Sequence, residues 1–166
     1  MKRIEMGFTL IELLIVIAII LVIAAIAIPN LLHSRIAANQ ASAVSSLRTL
    51  TTAEVTYATT YNSGYSEQLS YLGPPSPAST QPNATAAGLV DSLLAGSGDT
   101  SEKSGYLITY SPGTVSGGKI VGFVIHADPI TRGITGYNSY YVDESGVIRE
   151  NTSGTQATSA DSPLGG

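Results

Sequence analysis

Residues 8–28 read FTLIELLIVIAIILVIAAIAI, and Glu12 is the one charged side chain among these twenty-one positions. An α-helix of this length spans roughly 31 Å, the thickness of the hydrocarbon layer of a bilayer. The basic residues Lys2 and Arg3 precede the span, and basic flanks favour the cytoplasmic side of a membrane. The segment therefore predicts one membrane-spanning helix, with Lys2 and Arg3 holding its N-terminus in the cytoplasm.

Glu12 separates three interpretations of this segment. An ordinary secretory signal peptide needs a charged start and a small-residue cleavage site, and the sequence AIA at residues 25–27 offers one. The apolar run is nevertheless long for a signal peptide, and it contains a carboxylate. A plain membrane anchor gains nothing from that carboxylate, which is costly inside an apolar helix and normally has a partner. In a filament subunit, a neighbouring helix can supply the partner.

The sequence GFTLIEL at residues 7–13 resembles the cleavage and methylation signature of type IV prepilins and pseudopilins. The resemblance implies that a dedicated peptidase cuts after the glycine, here Gly7, and methylates the new N-terminus, here Phe8. The glutamate of the family corresponds to Glu12, and the proline near the end of its apolar stretch corresponds to Pro29. The resemblance is close from residue 1 to about residue 61 and is only architectural beyond it.

Cleavage would place the new amine of Phe8 four residues before Glu12. The two charges could then meet within one helix or between neighbouring subunits. An intermolecular pair would fix the register of the subunits, because a slip of one helical turn would leave both charges unpaired. The resemblance implies the same role for Glu12 in assembly. The alternative is that Glu12 only complements the positive N-terminal end of the helix dipole.

Pro29 is expected to kink the helix, because proline has no amide proton for the helical hydrogen bond. The chain after it predicts an amphipathic helix that continues to about Tyr61 and ends at residues 62–64, NSG. Tyr57, Tyr61 and Tyr65, spaced by four, are expected to bridge this helix and the sheet. The apolar stripe is expected to comprise Leu32, Ile36, Ala43, Val44, Leu47, Leu50, Val55 and Ala58.

The remainder of the chain predicts a loop followed by a small antiparallel sheet. Residues 62–104 are rich in glycine, proline, serine and threonine, with a short helix expected over residues 86–94. Strand patterns at residues 106–110, 119–126, 139–142 and 147–149 predict three or four strands. Residues 151–166 are polar and glycine-rich, and we expect them to form a loose or weakly docked tail.

The predicted fold class is therefore α+β, with a long N-terminal helix packed on a small C-terminal antiparallel β-sheet. The predicted segments are a leader (1–7), a membrane span that becomes the filament core (8–28), an amphipathic continuation of the helix (29–61), an αβ-loop (62–104), the sheet (105–150) and a polar tail (151–166).

The composition argues against several classes of site. The chain has no cysteine, which excludes disulfides and thiolate ligands, and its formal charge of -4 gives no electrostatic footprint for nucleic acid. His33 and His126 are far apart in the sequence, and no nucleophile–base pair is evident, so neither a catalytic residue nor a cofactor is predicted. His126, Asp128, Asp143 and Glu144 match no defined metal-ligand spacing, so no metal site is predicted.

The resemblance implies a structural subunit of a type IV pilus, which serves adhesion, surface motility or DNA uptake, and no enzymatic activity. The implied partners are further copies of the chain in a helical homopolymer, a prepilin peptidase, an inner-membrane platform protein and assembly ATPases. The precursor is expected in the inner membrane, and the assembled form on the cell surface.

Two alternatives stay open. One is a pseudopilin of a type II secretion system, which the lack of cysteine favours, because many pilins close their C-terminal loop with a disulfide. The long Ser/Thr/Pro-rich loop favours a pilus instead. The other alternative is a secreted binding domain with an ordinary signal peptide.

Overall fold

Helix α1 runs from Leu10 to Tyr61 in the computed structural model, which describes residues 8–77 and 80–165. The chain combines this long N-terminal helix with a C-terminal antiparallel sheet, so the predicted α+β fold class is confirmed. Contacts divide the chain into two units, Met1–Arg35 and Ile36–Gly166. The first contains the apolar start of α1. The second, which we call the head, contains the rest of α1 and the sheet.

Helix α1 ends because its next residues leave the helical conformation. Asn62 has φ 53° and Gly64 has φ 85°, which are left-handed values that asparagine and glycine tolerate best. Gly64 also lies against the backbone of Ile120, where a Cβ would come within 2.2 Å of the carbonyl oxygen. Glycine is therefore required at this position both for its conformation and for the close approach.

The described residues of the head contain eight strands: β1 (Thr100–Lys103), β2 (Tyr106–Pro112), β3 (Val115–Ser116), β4 (Lys119–Ile120), β5 (Phe123–Pro129), β6 (Ser139–Asp143), β7 (Arg149–Asn151) and β8 (Ser162–Pro163). Six of them form an antiparallel sheet in the order β1-β2-β5-β6-β7-β8, and β3 and β4 form a separate hairpin. The sheet has more strands than the three or four predicted. Strands β1 and β8 were missed because their sequences, TSEK and SP, carry no alternating apolar pattern.

The strand predicted over residues 119–126 is divided in two near Gly122. Gly113 N donates to the carbonyl oxygen of Gly122 over 2.7 Å, and a Cβ on Gly113 would lie 2.5 Å from that oxygen. Two glycines thus allow the two backbones to approach closely. Residues before this point pair in the β3–β4 hairpin, and residues after it pair in the main sheet.

The core of the head lies between α1 and one face of the sheet. Successive strand residues point to opposite faces, and alternate residues of β2 and β5 are buried accordingly. The principal core side chains are Ala43, Val44, Leu47, Leu50, Ala53 and Tyr57 from α1, and Tyr106, Ile108, Tyr110, Phe123, Ile125, Tyr140 and Val142 from the sheet.

The buried stripe of α1 departs from the predicted one near its C-terminal end. Val55 is exposed, and Glu54 and Tyr57 are buried instead. Leu47 and Leu50 set the phase, because a helix returns to the same face after three or four residues. That spacing leads to positions 54 and 57, and it leaves Val55 beside the stripe.

The prediction of a helix over residues 86–94 is wrong for most of that range. Only a short helix, α2 (Ser92–Ala95), forms at its end. The backbone amides of residues 87–89 donate to the carbonyl oxygens of residues 71–73, each over 2.8 Å. Because these amides already have long-range partners, they are not available for helical hydrogen bonds. Asp91 caps α2 by accepting a hydrogen bond from Leu94 N over 2.8 Å.

The C-terminal tail is docked on the sheet and is not loose. Strand β8 pairs with β7, and Ala157 is fully buried. The Asp161 carboxylate accepts hydrogen bonds from Asn151 Nδ2 over 2.8 Å and from Thr158 N over 2.7 Å. Arg149 Nη1 donates to the Asp161 carbonyl oxygen over 2.9 Å. Polar side chains that suggest a solvated tail instead bind the tail to the sheet.

Candidate functional site

Helix α1 begins with reciprocal hydrogen bonds between Thr9 and Glu12. The Thr9 N–H donates to Glu12 Oε2 over 2.8 Å, and the Thr9 hydroxyl donates to the same oxygen over 2.7 Å. Glu12 N donates in turn to Thr9 Oγ1 over 3.3 Å. Thr9 is thus the N-cap and Glu12 the third helical residue of a capping box. The T-x-x-E spacing is a recognisable signal for this cap, and it gives Thr9 a role that the apolar pattern alone does not predict.

The cap leaves the Glu12 carboxylate able to bind a second partner. Both bonds from Thr9 end on Oε2, and Oε1 has no hydrogen-bond partner among the described residues. Glu12 is exposed. Phe8, four residues before it, has 84% of its surface exposed, and its nitrogen becomes a free amine only if the bond to Gly7 is cut. The arrangement can therefore accept an ammonium group at Oε1 while the helix cap stays intact.

The first part of α1 carries a continuous exposed apolar surface. None of residues 8–35 is buried, and the exposed large apolar side chains include nearly all those of residues 10–32. Leu32, which the sequence pattern placed on the buried stripe, is exposed as well. The helix is long and apolar enough near its N-terminus to cross a membrane, by length and composition. This surface can be covered by lipid or by other helices.

The structure describes only some of the other residues predicted to act in processing and assembly. Pro29 lies inside α1, which continues through it to Tyr61, so the helix accommodates the missing amide proton without ending. The kink at Pro29 stays a prediction. Gly7, Lys2 and Arg3 lie outside the described residues.

A comparison with protein families assigns this N-terminal segment. Residues 7–28 match the family described as the prokaryotic N-terminal methylation motif. The chain carries a prepilin-type N-terminus. The match is consistent with the type IV pilin and pseudopilin signature, and the prepilin-type motif includes Glu12 and most of the exposed apolar surface. No curated protein and no solved structure matches the chain.

The apolar pattern of the sequence gave no indication of a further carboxylate that is buried and lies outside the prepilin-type motif. Glu54 lies on the buried stripe of α1, and its side chain is fully buried. Ser66 N donates to Glu54 Oε2 over 2.9 Å, and the Ser66 hydroxyl donates to Oε1 over 2.6 Å. The Tyr110 hydroxyl on β2 donates to the Ser66 carbonyl oxygen over 2.7 Å. Three elements of the head therefore meet at one carboxylate.

Burial governs the protonation of this cluster. Loss of hydration raises the pKa of Glu54, and the hydrogen bonds from Ser66 offset only part of that rise. Burial also raises the pKa of Tyr110, and the nearby Glu54 charge adds to the effect. Ser66 and Glu54 are both fully buried and out of reach of a substrate, and their hydrogen bonds join α1 to the segment that follows it. We assign it a structural role.

The residues considered for a metal site are dispersed over the sheet and its turns. His126 packs edge-on against Tyr141, with ring centroids 5.4 Å apart. Asp128 accepts a hydrogen bond from Gln156 over 2.8 Å, and Asp143 accepts one from Ser145 N over 3.0 Å. Across residues 8–77 and 80–165, histidine and carboxylate side chains form no group of three or more that could hold a metal ion.

Proposed function

We propose that the chain is a structural subunit of a type IV pilus and polymerises through the N-terminal part of α1. The observation that carries the proposal is the prepilin-type motif at the start of a helix with no buried residue from position 8 to position 35. Filament formation would serve adhesion, surface motility or DNA uptake. The protein would act through assembly and would have no catalytic activity of its own.

The distribution of apolar surface supports an intermolecular role for the N-terminal part of α1. The head buries its own core, from Ala43 on α1 to Ile148 near β7. The apolar side chains of residues 10–32 contribute nothing to that core. Such a surface is unfavourable in water and needs a cover from outside the chain. Lipid would cover it in the precursor, and helices of other copies would cover it in the filament.

Glu12 would set the register of each incoming subunit. Glu12 Oε1 is available while Thr9 occupies Oε2, and cleavage after Gly7 would create an amine on Phe8. An amine from a neighbouring copy could then bind Glu12 without breaking the helix cap. A displacement along the helix axis would separate the two charges inside apolar surroundings, which is strongly unfavourable.

The same proposal fixes the partners and the location of each form. A prepilin peptidase would cut after Gly7 and methylate Phe8. An inner-membrane platform protein and cytoplasmic ATPases would drive assembly. Lys2 and Arg3 would hold the precursor in the inner membrane with a cytoplasmic N-terminus, and the mature chains would form a surface fibre with Pro29 kinking each helix.

A pseudopilin of a type II secretion system is the second candidate, because the prepilin-type motif occurs in both classes. The observation in its favour is that the head fastens its C-terminal tail through Asp161 and Arg149 without a disulfide. Electron microscopy of cells that express the chain separates the two candidates. Long surface fibres labelled by an antibody against the head support the pilus, and fibres confined to the periplasm support the pseudopilin.

The experiment that tests the proposal is intact-mass and N-terminal analysis of the mature protein. A chain that starts at N-methylated Phe8 supports the prepilin assignment. A mature chain that starts at Ile28 would indicate an ordinary signal peptide and a secreted binding domain, and it would overturn the filament proposal.

A further inference from the structure

A cavity of about 370 Å³ lies at the C-terminal end of α1 and is lined by three tyrosines. Tyr57 comes from α1, and Tyr65 and Tyr71 come from the chain that follows it. The rest of the lining consists of Glu67, Ile120 and five smaller residues, Ser63, Ala84, Thr85, Val115 and Gly118. All of these residues belong to the head, and the volume lies within the usual range of small-molecule sites.

Two hydrogen bonds and one ring contact hold the walls of this cavity together. Tyr65 N donates to the Ile120 carbonyl oxygen over 3.0 Å, which joins the segment after α1 to the β3–β4 hairpin. The Tyr57 hydroxyl donates to the carbonyl oxygen of Ala84 over 2.7 Å, which joins α1 to the loop on the opposite side. The Tyr65 ring also packs edge-on against Phe123, with centroids 4.8 Å apart. The cavity is therefore preformed.

The charged side chain on the described lining of the cavity is the carboxylate of Glu67. Glu67 is exposed on its lining and has no hydrogen bond or ion pair among the described residues. No lysine or arginine is among the described residues that line the cavity. Lys119, between the lining residues Gly118 and Ile120, donates from Nζ to Asn62 Oδ1 over 2.7 Å.

We propose that this cavity binds a small organic cation of the quaternary ammonium class. The negative faces of aromatic rings attract cations, and quaternary ammonium groups are the ligands that aromatic-lined sites recognise in this way. Methyl groups on such a cation can contact Tyr65, Tyr71 and the aliphatic side chain of Ile120 without needing hydrogen-bond acceptors. Glu67 supplies the compensating charge at the rim.

The negative lining distinguishes this ligand from other classes. A phosphate or carboxylate ligand would be repelled by Glu67 and would find no basic side chain on the lining. The cavity is independent of the filament proposal, because every contact that forms it lies within one head.

The test uses the full chain in a maltoside detergent, titrated with choline and observed through the ring protons of labelled tyrosines. We expect saturable shifts at Tyr57, Tyr65 and Tyr71. The matched ligand is the neutral isostere of choline in which a quaternary carbon replaces the nitrogen. We expect it to bind at least about fivefold more weakly, because it lacks the attraction to the rings. Equal affinity for both ligands would overturn the proposal.

Variants locate the site on the chain. Glu67→Gln should weaken choline binding about three- to fivefold, as expected for one exposed ion pair. Glu102→Gln, which removes the same charge from β1, should leave the affinity unchanged. Tyr71→Leu should weaken binding about fivefold or more, and Tyr71→Phe should retain it, because the ring and not the hydroxyl binds the cation. Any of three results would refute the assignment. The two glutamate variants could have equal effects, Tyr71→Leu could bind choline unchanged while its sheet signals stay native, or the three tyrosines could show no saturable shift.

Discussion

Ser66 holds the buried carboxylate of Glu54 with two hydrogen bonds, from its hydroxyl over 2.6 Å and from its backbone N–H over 2.9 Å. The two residues are twelve positions apart, one on α1 and the other beyond the turn that ends it. The contact fixes the direction in which the chain leaves the helix. It also places a titratable group inside the head, and its effect on stability therefore depends on pH.

Two substitutions at Glu54 should distinguish what its hydrogen bonds contribute to stability from what its charge contributes. Glu54→Ala leaves the Ser66 N–H and hydroxyl without their acceptor in a buried site, and we expect a loss of about 2–4 kcal/mol in the free energy of unfolding. Glu54→Gln should stay within about 1 kcal/mol of the wild type at neutral pH, because the Ser66 hydroxyl can turn to the Gln68 carbonyl oxygen, 3.0 Å away. Chemical denaturation of the full chain in detergent, followed by tyrosine circular dichroism, measures both.

The pH dependence follows from the raised pKa of Glu54. A folded-state pKa above the unfolded value means that the folded protein binds the proton more tightly. This contribution to stability is complete below the ordinary value of 4.5, and it is lost as the pH rises through the folded-state pKa. Glu54→Gln should lack that loss. If its stability fell over the same pH interval as that of the wild type, Glu54 would not be the responsible group.

Substitutions at Glu12 and Thr9 should show whether assembly depends on the Glu12 charge or on the helix cap that the two residues form. We expect Glu12→Ala to insert into the membrane and to be cleaved, but not to enter filaments beside wild-type subunits, because the Phe8 amine then has no counter-charge. Thr9→Ala removes the cap and keeps the carboxylate, so it should still assemble. Fibre yield by shearing and immunoblotting is the measurement. Normal yield from Glu12→Ala, or equal failure of both variants, would contradict the register role.

Gly7→Val should leave uncleaved precursor in the inner membrane. The reason is steric: a peptidase that accepts the backbone of glycine before the scissile bond meets a β-branched side chain instead. Membrane fractionation and the mass of the N-terminal peptide report the outcome. Met6→Leu is the matched control in the leader and should be processed normally. Wild-type processing of Gly7→Val would argue against a prepilin peptidase.

Asp161→Asn should release the C-terminal tail. Asp161 accepts hydrogen bonds from Asn151 and Thr158, and the backbone N–H of Thr158 is the main cause of its lowered pKa. Its contribution is therefore present at neutral pH and is lost as the pH falls through the lowered pKa. We expect faster proteolysis within residues 152–165 in the variant, and in the wild type only at acid pH. Glu102→Gln serves as the control, and equal cleavage of both variants at neutral pH would exclude this role.

Local patterns in the sequence predicted the parts of the protein that depend on local chemistry. The long helix and its end near Tyr61 follow from apolar periodicity and from the residues after it, and the six-residue signature from Gly7 to Glu12 agrees with the family match. The capping box was not predicted, although its T-x-x-E spacing is a recognisable local signal. The side-chain roles proposed for Gly7, Phe8, Glu12 and Pro29 stay predictions that the experiments above address.

Features that depend on distant partners could not be predicted in this way. The helix expected over residues 86–94 gave way because its amides bind carbonyl oxygens of residues 71–73. Strand β8 exists because β7 supplies its hydrogen bonds, and Glu54 is buried because Ser66 satisfies both of its oxygens. The sequence alone determined the membrane-compatible helix, since hydropathy and helical periodicity act over neighbouring residues. Only the tertiary structure decided which polar groups are buried, because burial requires hydrogen-bond partners brought together by folding.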